Sequence, residues 1–166
     1  MKLLRLVILG ILFPVLIITV ISLFIPSNIQ IAKAVLINAP ADTVLNQLKD
    51  PQNWKHWYPG ADSSKFFYEN DLPRGLMLNE KKHEYILITG TNDNEVTAQY
   101  SMPGRKIMTG WVVHSINSNE VMLQWYMKFH LRWYPWEKFT SFLFDRVYGP
   151  QLQTGLNNIK ERVEKQ

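Results

Sequence analysis

The four histidines of this chain are its most versatile candidates for proton transfer or metal binding. They are His56, His83, His114 and His130. No two of them are four residues apart and no H-E-x-x-H motif is present, so they lack the spacing with which one helix holds a metal ion. The sequence therefore predicts no metal site, and it indicates no cofactor.

Carboxylates offer the remaining route to catalysis, because a general base must lie within hydrogen-bonding reach of its substrate. Glu84, Glu95 and Asp145 could serve, yet nothing around them singles one out. The chain also lacks the G-x-S-x-G, Walker and dinucleotide-binding motifs. It favours a binding protein over an enzyme, and the catalytic residues stay unassigned.

The elements that would position these side chains follow a long apolar segment. Leu6–Ile25 contains twenty residues without a charge, and a helix of this length spans about 30 Å, the thickness of the hydrocarbon core of a bilayer. Lys2 and Arg5 precede it, whereas the far flank is uncharged up to Lys33. Since positive charge is retained in the cytoplasm, we expect residues 1–28 to be a signal anchor. The N-terminus would be cytoplasmic and the following domain would lie on the other side of the membrane.

Two other interpretations of this segment remain open. A cleaved signal peptide has an apolar core of about 7–15 residues and a small-residue cleavage site, and Leu23-Phe24-Ile25-Pro26 offers no such site. A buried core helix would require a small domain to enclose the whole apolar run. We therefore favour a single-pass anchor.

Residues 29–166 have the length of one ordinary domain. Two of the chain's 18 Lys and Arg residues precede the apolar segment, which leaves 16 basic residues against 14 acidic ones in this domain. Their even distribution lacks the clustered cations of a nucleic-acid-binding surface, so we expect no nucleic acid partner. The absence of cysteine excludes disulfides and thiolate metal sites.

Local patterns predict a strand, two short helices and then an antiparallel meander. Alternating apolar residues indicate a strand over Ile29–Ile37, and Pro40 suits the first turn of a helix. A second short helix carries Trp54 and Trp57, which are three residues apart and so share a face. Turn signals then recur at strand-length intervals, with connections too short for parallel crossovers.

The last strand has the clearest pattern of the domain. Over Val121–Trp133, apolar residues occupy every second position. The positions between them include Tyr126, His130 and Arg132, as expected of a long strand with one buried face and one face in solvent.

The C-terminal stretch changes to a helical period. A stripe on one face of a helix consists of Leu152, Leu156, Ile159 and Val163. Phe139, Leu143 and Val147 continue upstream with helical spacing, but Gly149-Pro150 should kink or split the helix there. The element order is typical of an α+β domain whose helices cover one face of a curved sheet.

Three short segments of the domain form a recognisable set. They are Ile37–Asp42 followed by Val44, Asp50–Trp54 followed by Trp57 and Pro59, and Gly149-Pro150 with Gly155-Leu156 and Ile159-Lys160. Together they resemble the helix-grip (SRPBCC) superfamily, which contains polyketide cyclases, lipid-transfer START domains and the birch-pollen allergen. That family often has leucine in place of Ile159. The resemblance covers residues 29–165 and concerns helix–sheet junctions, not catalysis.

The resemblance implies a curved antiparallel sheet of about six to seven strands wrapped around a long C-terminal helix, with an apolar cavity between them. Members bind or carry lipids, sterols and polyketides there, and a minority catalyse cyclisation or dehydration. The superfamily has no single catalytic motif, so no active-site residue is carried over. The N-terminal anchor departs from its common soluble, one-domain members.

We expect inward-facing residues of the central strands to line the cavity, since sites for apolar ligands are mostly apolar. The candidates are Tyr85, Tyr100, Trp111, Trp125, Met127, Phe129 and Trp133. A solid core without a cavity is the alternative, and one β-bulge would exchange the two faces of a strand. Trp54 and Trp57 could flank the cavity mouth, touch lipid headgroups or brace the second helix against the core. The Tyr134-Pro135-Trp136 turn has the same ambiguity.

The leading hypothesis is a membrane-anchored domain that binds or carries a small hydrophobic, lipid-like ligand. Its partners would be this ligand and the bilayer, through residues 6–25, while protein partners stay unknown. One alternative is a cyclase- or dehydratase-type enzyme, which needs a polar residue buried in the cavity. The other is a non-catalytic interaction module of an envelope complex, with its cavity filled by its own side chains.

Overall fold

The computed structural model describes residues 2–69 and 71–165, with side chains from residue 10 onward. Its helices are α1 (Lys2–Leu23), α2 (Ala41–Lys49), α3 (Pro51–Trp54), α4 (Pro135–Thr140) and α5 (Phe144–Glu164), with a 3-10 turn at Ser141–Leu143. Its strands are β1 (Asn28–Ile37), β2 (Lys65–Glu69), β3 (Leu72–Asn79), β4 (Glu84–Thr91), β5 (Glu95–Met102), β6 (Arg105–Asn117) and β7 (Glu120–His130).

The described strands form one antiparallel sheet of seven strands in the order β1-β7-β6-β5-β4-β3-β2. From β2 to β7 each strand lies beside its neighbour in the sequence, which confirms the predicted meander. β1 instead pairs with β7, so that Asn28 lies opposite His130 and Ile37 lies opposite Val121. The predicted α+β helix-grip fold, with an antiparallel sheet and a C-terminal helix, is confirmed.

The core lies between one face of this sheet and the helices. α5 packs chiefly on β1 and also on β7, while α2 covers β5 and β6 and α3 lies against β3. The stripe predicted for the C-terminal helix is buried, and it consists of Leu152, Leu156, Ile159 and Val163. The alternation predicted for β1 is also confirmed, since Ile31 and Ile37 are buried and Leu36 between them is exposed.

β7 is shorter than its sequence pattern predicts, because its partner strand runs out. It ends at His130, opposite Asn28, the first residue of β1. The Leu131 N–H still donates to the Ser27 carbonyl at 2.7 Å. Beyond that point no strand continues the pairing, and the prediction that Trp133 faces inward is wrong: its side chain is 65% exposed.

The prediction that Tyr126 of β7 faces solvent is also wrong. The residue is buried, and its hydroxyl donates a 2.7 Å hydrogen bond to Glu95. Its ring lies across Gly110, where a Cβ would be 2.6 Å from the phenol oxygen. Because Gly110 has no side chain, the outer face of the sheet can hold a flat aromatic ring there.

The helices are interrupted at different places from those predicted. α5 continues through Pro150, and the interruption is the 3-10 turn at Ser141–Leu143. Gly149 has no Cβ to clash with the proline ring, which relieves the usual restriction on the residue before proline. The second short helix is also shorter than predicted, since α3 ends at Trp54 and Trp57 lies in the turn after it.

α1 lies outside the core and packs on α4. The large apolar residues of α1 from Ile11 to Leu23 are exposed, and so is Phe24 just after it, at 83%. Within the residues whose side chains are described, no helix is long and apolar enough to cross a membrane. The predicted span Leu6–Ile25 lies partly outside those residues. The anchor and the division into residues 1–28 and 29–166 therefore stay predictions.

Candidate functional site

Five aromatic residues pack into one cluster between the sheet and the segment that contains α2 and α3. This tryptophan cluster consists of Trp54, Trp57, Tyr58, Trp111 and Trp125. All five side chains are buried, and the ring centroids of contacting pairs are 5.1–6.5 Å apart. Aromatic pairs at such distances add attraction to the apolar area they bury. The cluster therefore fills, with the protein's own side chains, the part of the interior where a cavity was expected.

Trp54 and Trp57 brace the helical segment against the sheet. Trp54 Nε1 donates to the Leu48 carbonyl at 2.8 Å, and Trp57 Nε1 donates to the Gln47 carbonyl at 3.3 Å. Both side chains are at most 1% exposed. They lie inside the core and not at an open mouth, so the bracing interpretation of these two residues fits the structure.

The two strand tryptophans, which lie directly opposite each other on β6 and β7, differ in how their indole N–H groups are satisfied. Trp125 Nε1 donates to Thr109 Oγ1 at 2.8 Å, and the Thr109 hydroxyl donates to the Tyr126 carbonyl at 2.8 Å. Trp111 Nε1 is buried and finds no acceptor among the described residues. A buried donor without a partner costs about 1–3 kcal/mol, so the packing of the Trp111 ring must outweigh this cost.

A pocket of about 710 Å³ opens at one end of the sheet, and we call it the end pocket. It lies between the β5–β6 turn, the end of β7 with the loop after it, and the helices α4 and α5. Its lining residues are Met102–Lys106, His130, Arg132, Tyr134, Trp136, Glu137, Thr140, Phe144 and Tyr148. Arg105 and Trp111 are six residues apart on β6, about 20 Å along the strand. The end pocket is therefore separate from the tryptophan cluster.

The polar side of the end pocket is built around Glu137 on α4. Its carboxylate forms an ion pair with the Arg105 guanidinium from β6 and accepts the Arg132 backbone N–H at 3.3 Å. The same guanidinium lies 5.9 Å from the centre of the Phe144 ring. Because the Glu137 side chain is only 13% exposed, the ion pair is partly shielded from water. It joins the β5–β6 turn to α4.

Aromatic residues form the inner wall and the rim of the end pocket. Phe144 and Tyr148, one turn apart on α5, pack on Phe129 of β7 with ring centroids 4.7 and 5.0 Å away. At the rim, Tyr134 stacks on Trp136 with centroids 4.8 Å apart. Such a wall suits an apolar ligand, while the polar side could fix its orientation.

The pKa values of two core phenols, Tyr58 and Tyr100, are raised. Burial raises the pKa of Tyr100, the negative charge of Glu84 adds to this, and Tyr148 contributes further. Burial likewise raises the pKa of Tyr58, with Tyr100 adding to it. Both phenols therefore stay protonated at neutral pH, so they can donate hydrogen bonds but do not supply a base.

The seven predicted cavity residues do not line one common space. Four of them are buried in the core: Trp111, Trp125, Met127 and Phe129. Tyr100 packs on the edge of that core, and Trp133 is exposed. Tyr85 lines a pocket of about 420 Å³ and Phe129 one of about 510 Å³, both beside the end pocket. The role of these residues in ligand binding stays a prediction.

Sequence reasoning missed most of the end pocket, because its residues come from segments that share no period. The β5–β6 turn is marked only by Pro103-Gly104, and Arg105 and Glu137 are 32 residues apart in the chain. The Tyr134-Pro135-Trp136 turn was the one useful signal. It predicts a mouth or a brace, and its two aromatic residues line the end pocket.

The histidines lie on separate elements. His130 bonds the side-chain oxygen of Asn28 through Nδ1 at 2.8 Å, and it is the one histidine that lines the end pocket. His114 is exposed on β6, and His83 lies in the β3–β4 turn. Among residues 2–69 and 71–165, no three His, Asp or Glu side chains are grouped so that they could hold a metal ion.

Residues 28–164 match a protein-family model described as polyketide cyclase/dehydrase and lipid transport. This match covers nearly the whole chain after α1. Comparison with curated proteins finds no match.

Several solved structures have the same fold at low sequence identity. A START superfamily protein from Mycobacterium smegmatis is 14% identical with a TM-score of 0.58, over 82% of this chain and 97% of that one. The Zhui aromatase/cyclase from Streptomyces sp. R1128 is 14% identical with a TM-score of 0.57, over 83% and 94% of the two chains. Truncated norcoclaurine synthase from Thalictrum flavum is 13% identical with a TM-score of 0.62, over 84% and 95%. Identities this low establish a shared fold and leave the substrate open.

Proposed function

Because the chain belongs to the polyketide cyclase/dehydrase and lipid transport family, we propose that it binds and carries a small hydrophobic, lipid-like ligand at a membrane to which α1 tethers it. The domain after α1 would lie on the non-cytoplasmic side. A tethered carrier meets a membrane ligand at high local concentration, which raises the occupancy of its site without any additional contact.

The position of the end pocket carries this proposal. The pocket lies at the end of the sheet where α1 joins the domain, since Asn28 begins β1 there and pairs with His130, which lines the pocket. Its volume of about 710 Å³ is within the usual range of about 300–1,000 Å³ for small-molecule sites. A ligand leaving a bilayer beside α1 would therefore meet the pocket first.

The chemistry of α1 supports the tether. From Ile11 to Leu23 its large apolar side chains are exposed, and a helix that is apolar all round is normally buried in protein or in lipid. The protein core does not cover this helix. Lys2 and Arg5 precede the apolar run, which favours a cytoplasmic N-terminus.

The lining of the end pocket favours an amphiphile. Phe144 and Tyr148 offer an apolar wall, while Lys106 and Arg132 line the pocket with their side chains exposed at its rim. A ligand with an apolar body and an anionic end would satisfy both, because Lys and Arg form strong, charge-assisted hydrogen bonds with carboxylate or phosphate.

A cyclase- or dehydratase-type enzyme is the second candidate function, favoured by one observation. Glu137 is a shielded carboxylate inside the pocket, the kind of residue that such chemistry requires. Its oxygens, however, are engaged by the Arg105 guanidinium and the Arg132 N–H. A carboxylate held in this way is poorly placed to accept a substrate proton, so carriage is the better-supported function. The interior around the tryptophan cluster is filled by the protein's own side chains, as expected of an interaction module. The open end pocket is not expected of such a module.

The test compares two matched tryptophan substitutions in the full chain. Thr140 lines the end pocket on α4, and its hydroxyl donates to the Trp136 carbonyl four residues earlier. Thr154 on α5 is also exposed, and its hydroxyl donates to the Pro150 carbonyl in the same way. Thr140→Trp fills the pocket, while Thr154→Trp adds the same bulk elsewhere.

Each full-length protein is purified in detergent, exchanged into nanodiscs of a single synthetic lipid, and its organic extract is analysed by mass spectrometry. We expect the wild type and Thr154→Trp to retain a stoichiometric apolar compound that differs from the nanodisc lipid, and Thr140→Trp to lose it. Equal extracts from all three proteins, containing only nanodisc lipid, would reject ligand carriage and favour the interaction module. Conversion of a retained polyketide-like compound, abolished by Glu137→Gln, would favour the enzyme.

A further inference from the structure

The segment between β7 and the first turns of α5 exposes an unusual number of large apolar side chains. This apolar patch consists of Trp133, Trp136, Phe139, Phe142, Leu143 and Val147. Trp136 and Phe142 are 68% and 70% exposed. In the rest of the described domain after α1, exposed residues of this kind lie singly or in pairs on the strands, as Leu36 does opposite Met122. Contiguous apolar surface of this type marks a contact with a partner or a membrane.

A buried lysine fixes the apolar patch beside the end of α1. Lys138 on α4 is 4% exposed, and its ammonium donates to the Ile25 carbonyl at 2.6 Å and to Ser27 Oγ at 2.8 Å. α4 also packs directly on α1. The apolar patch therefore lies beside the exposed residues Leu23 and Phe24 at the end of α1, because these contacts hold α4 against that end.

The charges of this segment favour a contact with lipid headgroups over a contact with an acidic protein away from the membrane. Its two carboxylates are already paired, Glu137 with Arg105 and Asp145 with Lys33. Arg132 and Arg146 are exposed. Aromatic residues with flanking cations are typical of the interface between hydrocarbon and headgroups.

We propose that the apolar patch is a second membrane-contacting surface, which lies in the interface of the same bilayer that α1 enters. This inference rests on the tether of the proposed function but not on ligand binding. The patch and the end pocket share Trp136, so a bilayer covering the patch would bring the pocket mouth to the level of the headgroups. The ligand would then move between bilayer and pocket without crossing water.

The absence of cysteine allows a test with single labelled sites in the full chain. Phe142→Cys reports on the apolar patch, Val15→Cys on α1, and Asp93→Cys on the β4–β5 turn at the opposite end of the sheet. Each variant carries an environment-sensitive fluorophore and is reconstituted into vesicles of equal parts phosphatidylcholine and phosphatidylglycerol, with or without brominated acyl chains. Brominated chains quench only fluorophores that reach the lipid.

We expect several-fold stronger quenching at positions 142 and 15 than at position 93. Quenching at position 15 but not at 142 would overturn this inference and leave the tether standing. No quenching at either would overturn both. A fluorophore at position 142 that is shielded from aqueous iodide but not quenched by lipid would identify a protein contact, and this too would overturn the proposal.

A matched pair of aspartates tests whether apolar surface causes the contact. Leu143 and Ile116 are exposed to nearly the same extent, 53% and 54%, at opposite ends of the domain. In the Phe142→Cys protein, Leu143→Asp should reduce lipid quenching several-fold, while Ile116→Asp should leave it unchanged. Because both residues are exposed, neither substitution should unfold the domain. Equal quenching in the two variants would contradict a contact made by apolar side chains.

Discussion

Gly155 of α5 lies directly against the ring of Trp125 on β7. A Cβ built on this glycine would be 2.4 Å from Trp125 Cζ3 and 3.0 Å from Cδ of Pro59. The helix therefore approaches the sheet as closely as its backbone permits at this point. The contact sets the distance between α5 and the tryptophan cluster.

Gly155→Ala should destabilise the domain although alanine favours helices. Overpacking against a rigid ring should lower the free energy of unfolding by about 3 kcal/mol, the upper part of the usual range. The higher helix propensity of alanine should raise it by about 1 kcal/mol. We expect the free energy of unfolding, measured by urea titration in a fixed detergent, to fall by about 2 kcal/mol. Thr154→Ala is the control on the same helix, because this neighbouring side chain is exposed. It should stay within about 1 kcal/mol of wild type, and an equal loss in both variants would contradict the argument.

Thr109→Val should destabilise the domain more than its small change in shape suggests. The substitution keeps the volume but removes the hydroxyl that bonds Trp125 Nε1 and the Tyr126 carbonyl. Leaving the buried indole N–H unpaired should cost about 1–3 kcal/mol. Thr109→Ser keeps both hydrogen bonds and loses one methyl group, about 1 kcal/mol. If urea titration gave equal losses for the two variants, the hydroxyl would not be the cause.

Trp57→Ala should destabilise the domain strongly, whereas Trp133→Ala should not. Trp57 is 1% exposed within the tryptophan cluster and Trp133 is 65% exposed. Emptying the buried site should cost about 3–5 kcal/mol, while the exposed one should change stability by less than about 0.5 kcal/mol. The new cavity is apolar and should bind indole, so added indole should raise the melting temperature of Trp57→Ala alone. An unchanged melting temperature would mean that the site collapses.

The stability of the domain should decline at alkaline pH. Burial raises the pKa of Tyr126, and its hydrogen bond to Glu95 adds to this; burial also raises those of Tyr58 and Tyr100. The unfolded chain therefore releases these protons at lower pH than the folded one. Below about pH 10 the ionisation of these tyrosines should not change the free energy of unfolding. Above about pH 10 the free energy of unfolding should fall as the pH rises.

Tyr126→Phe tests this pH dependence, since it removes one of the three ionisations. Its free energy of unfolding should fall less steeply above pH 10 than that of wild type. Glu95→Gln should also make the decline shallower, because it removes the carboxylate that disfavours the phenolate of Tyr126. Urea titrations at a series of pH values measure both slopes. Identical slopes in the three proteins would exclude a contribution from Tyr126.

Local periodicity was sufficient to predict most of the scaffold but little of the site. The alternation of β1 and the stripe of α5 identify their buried faces, because each face is read from one segment. The end of β7 could not be predicted in this way, since it depends on where β1 begins, about a hundred residues earlier. Tyr126 was misassigned for a similar reason: its burial depends on Gly110 of the neighbouring strand.

The end pocket depends even more on such distant relationships. Arg105 and Glu137 meet only because β6 begins at the edge of the fold where α4 lies. The exposed side chains of Phe139, Leu143 and Val147 have the spacing of a buried stripe, yet the 3-10 turn rotates this segment out of the core. Periodicity shows that residues share a face, but it does not show what covers that face.

The pairing of β1 with β7 also sets the order in which the domain can form. Asn28 and His130 are separated by 102 residues, so at translation rates of about 5–20 residues per second the first strand waits about 5–20 s for its partner. During that interval its apolar face and its backbone are uncovered. Non-local closure of this kind slows folding, and an unpaired strand is a template for aggregation. β1 is therefore the part of the nascent chain that most needs protection by a chaperone.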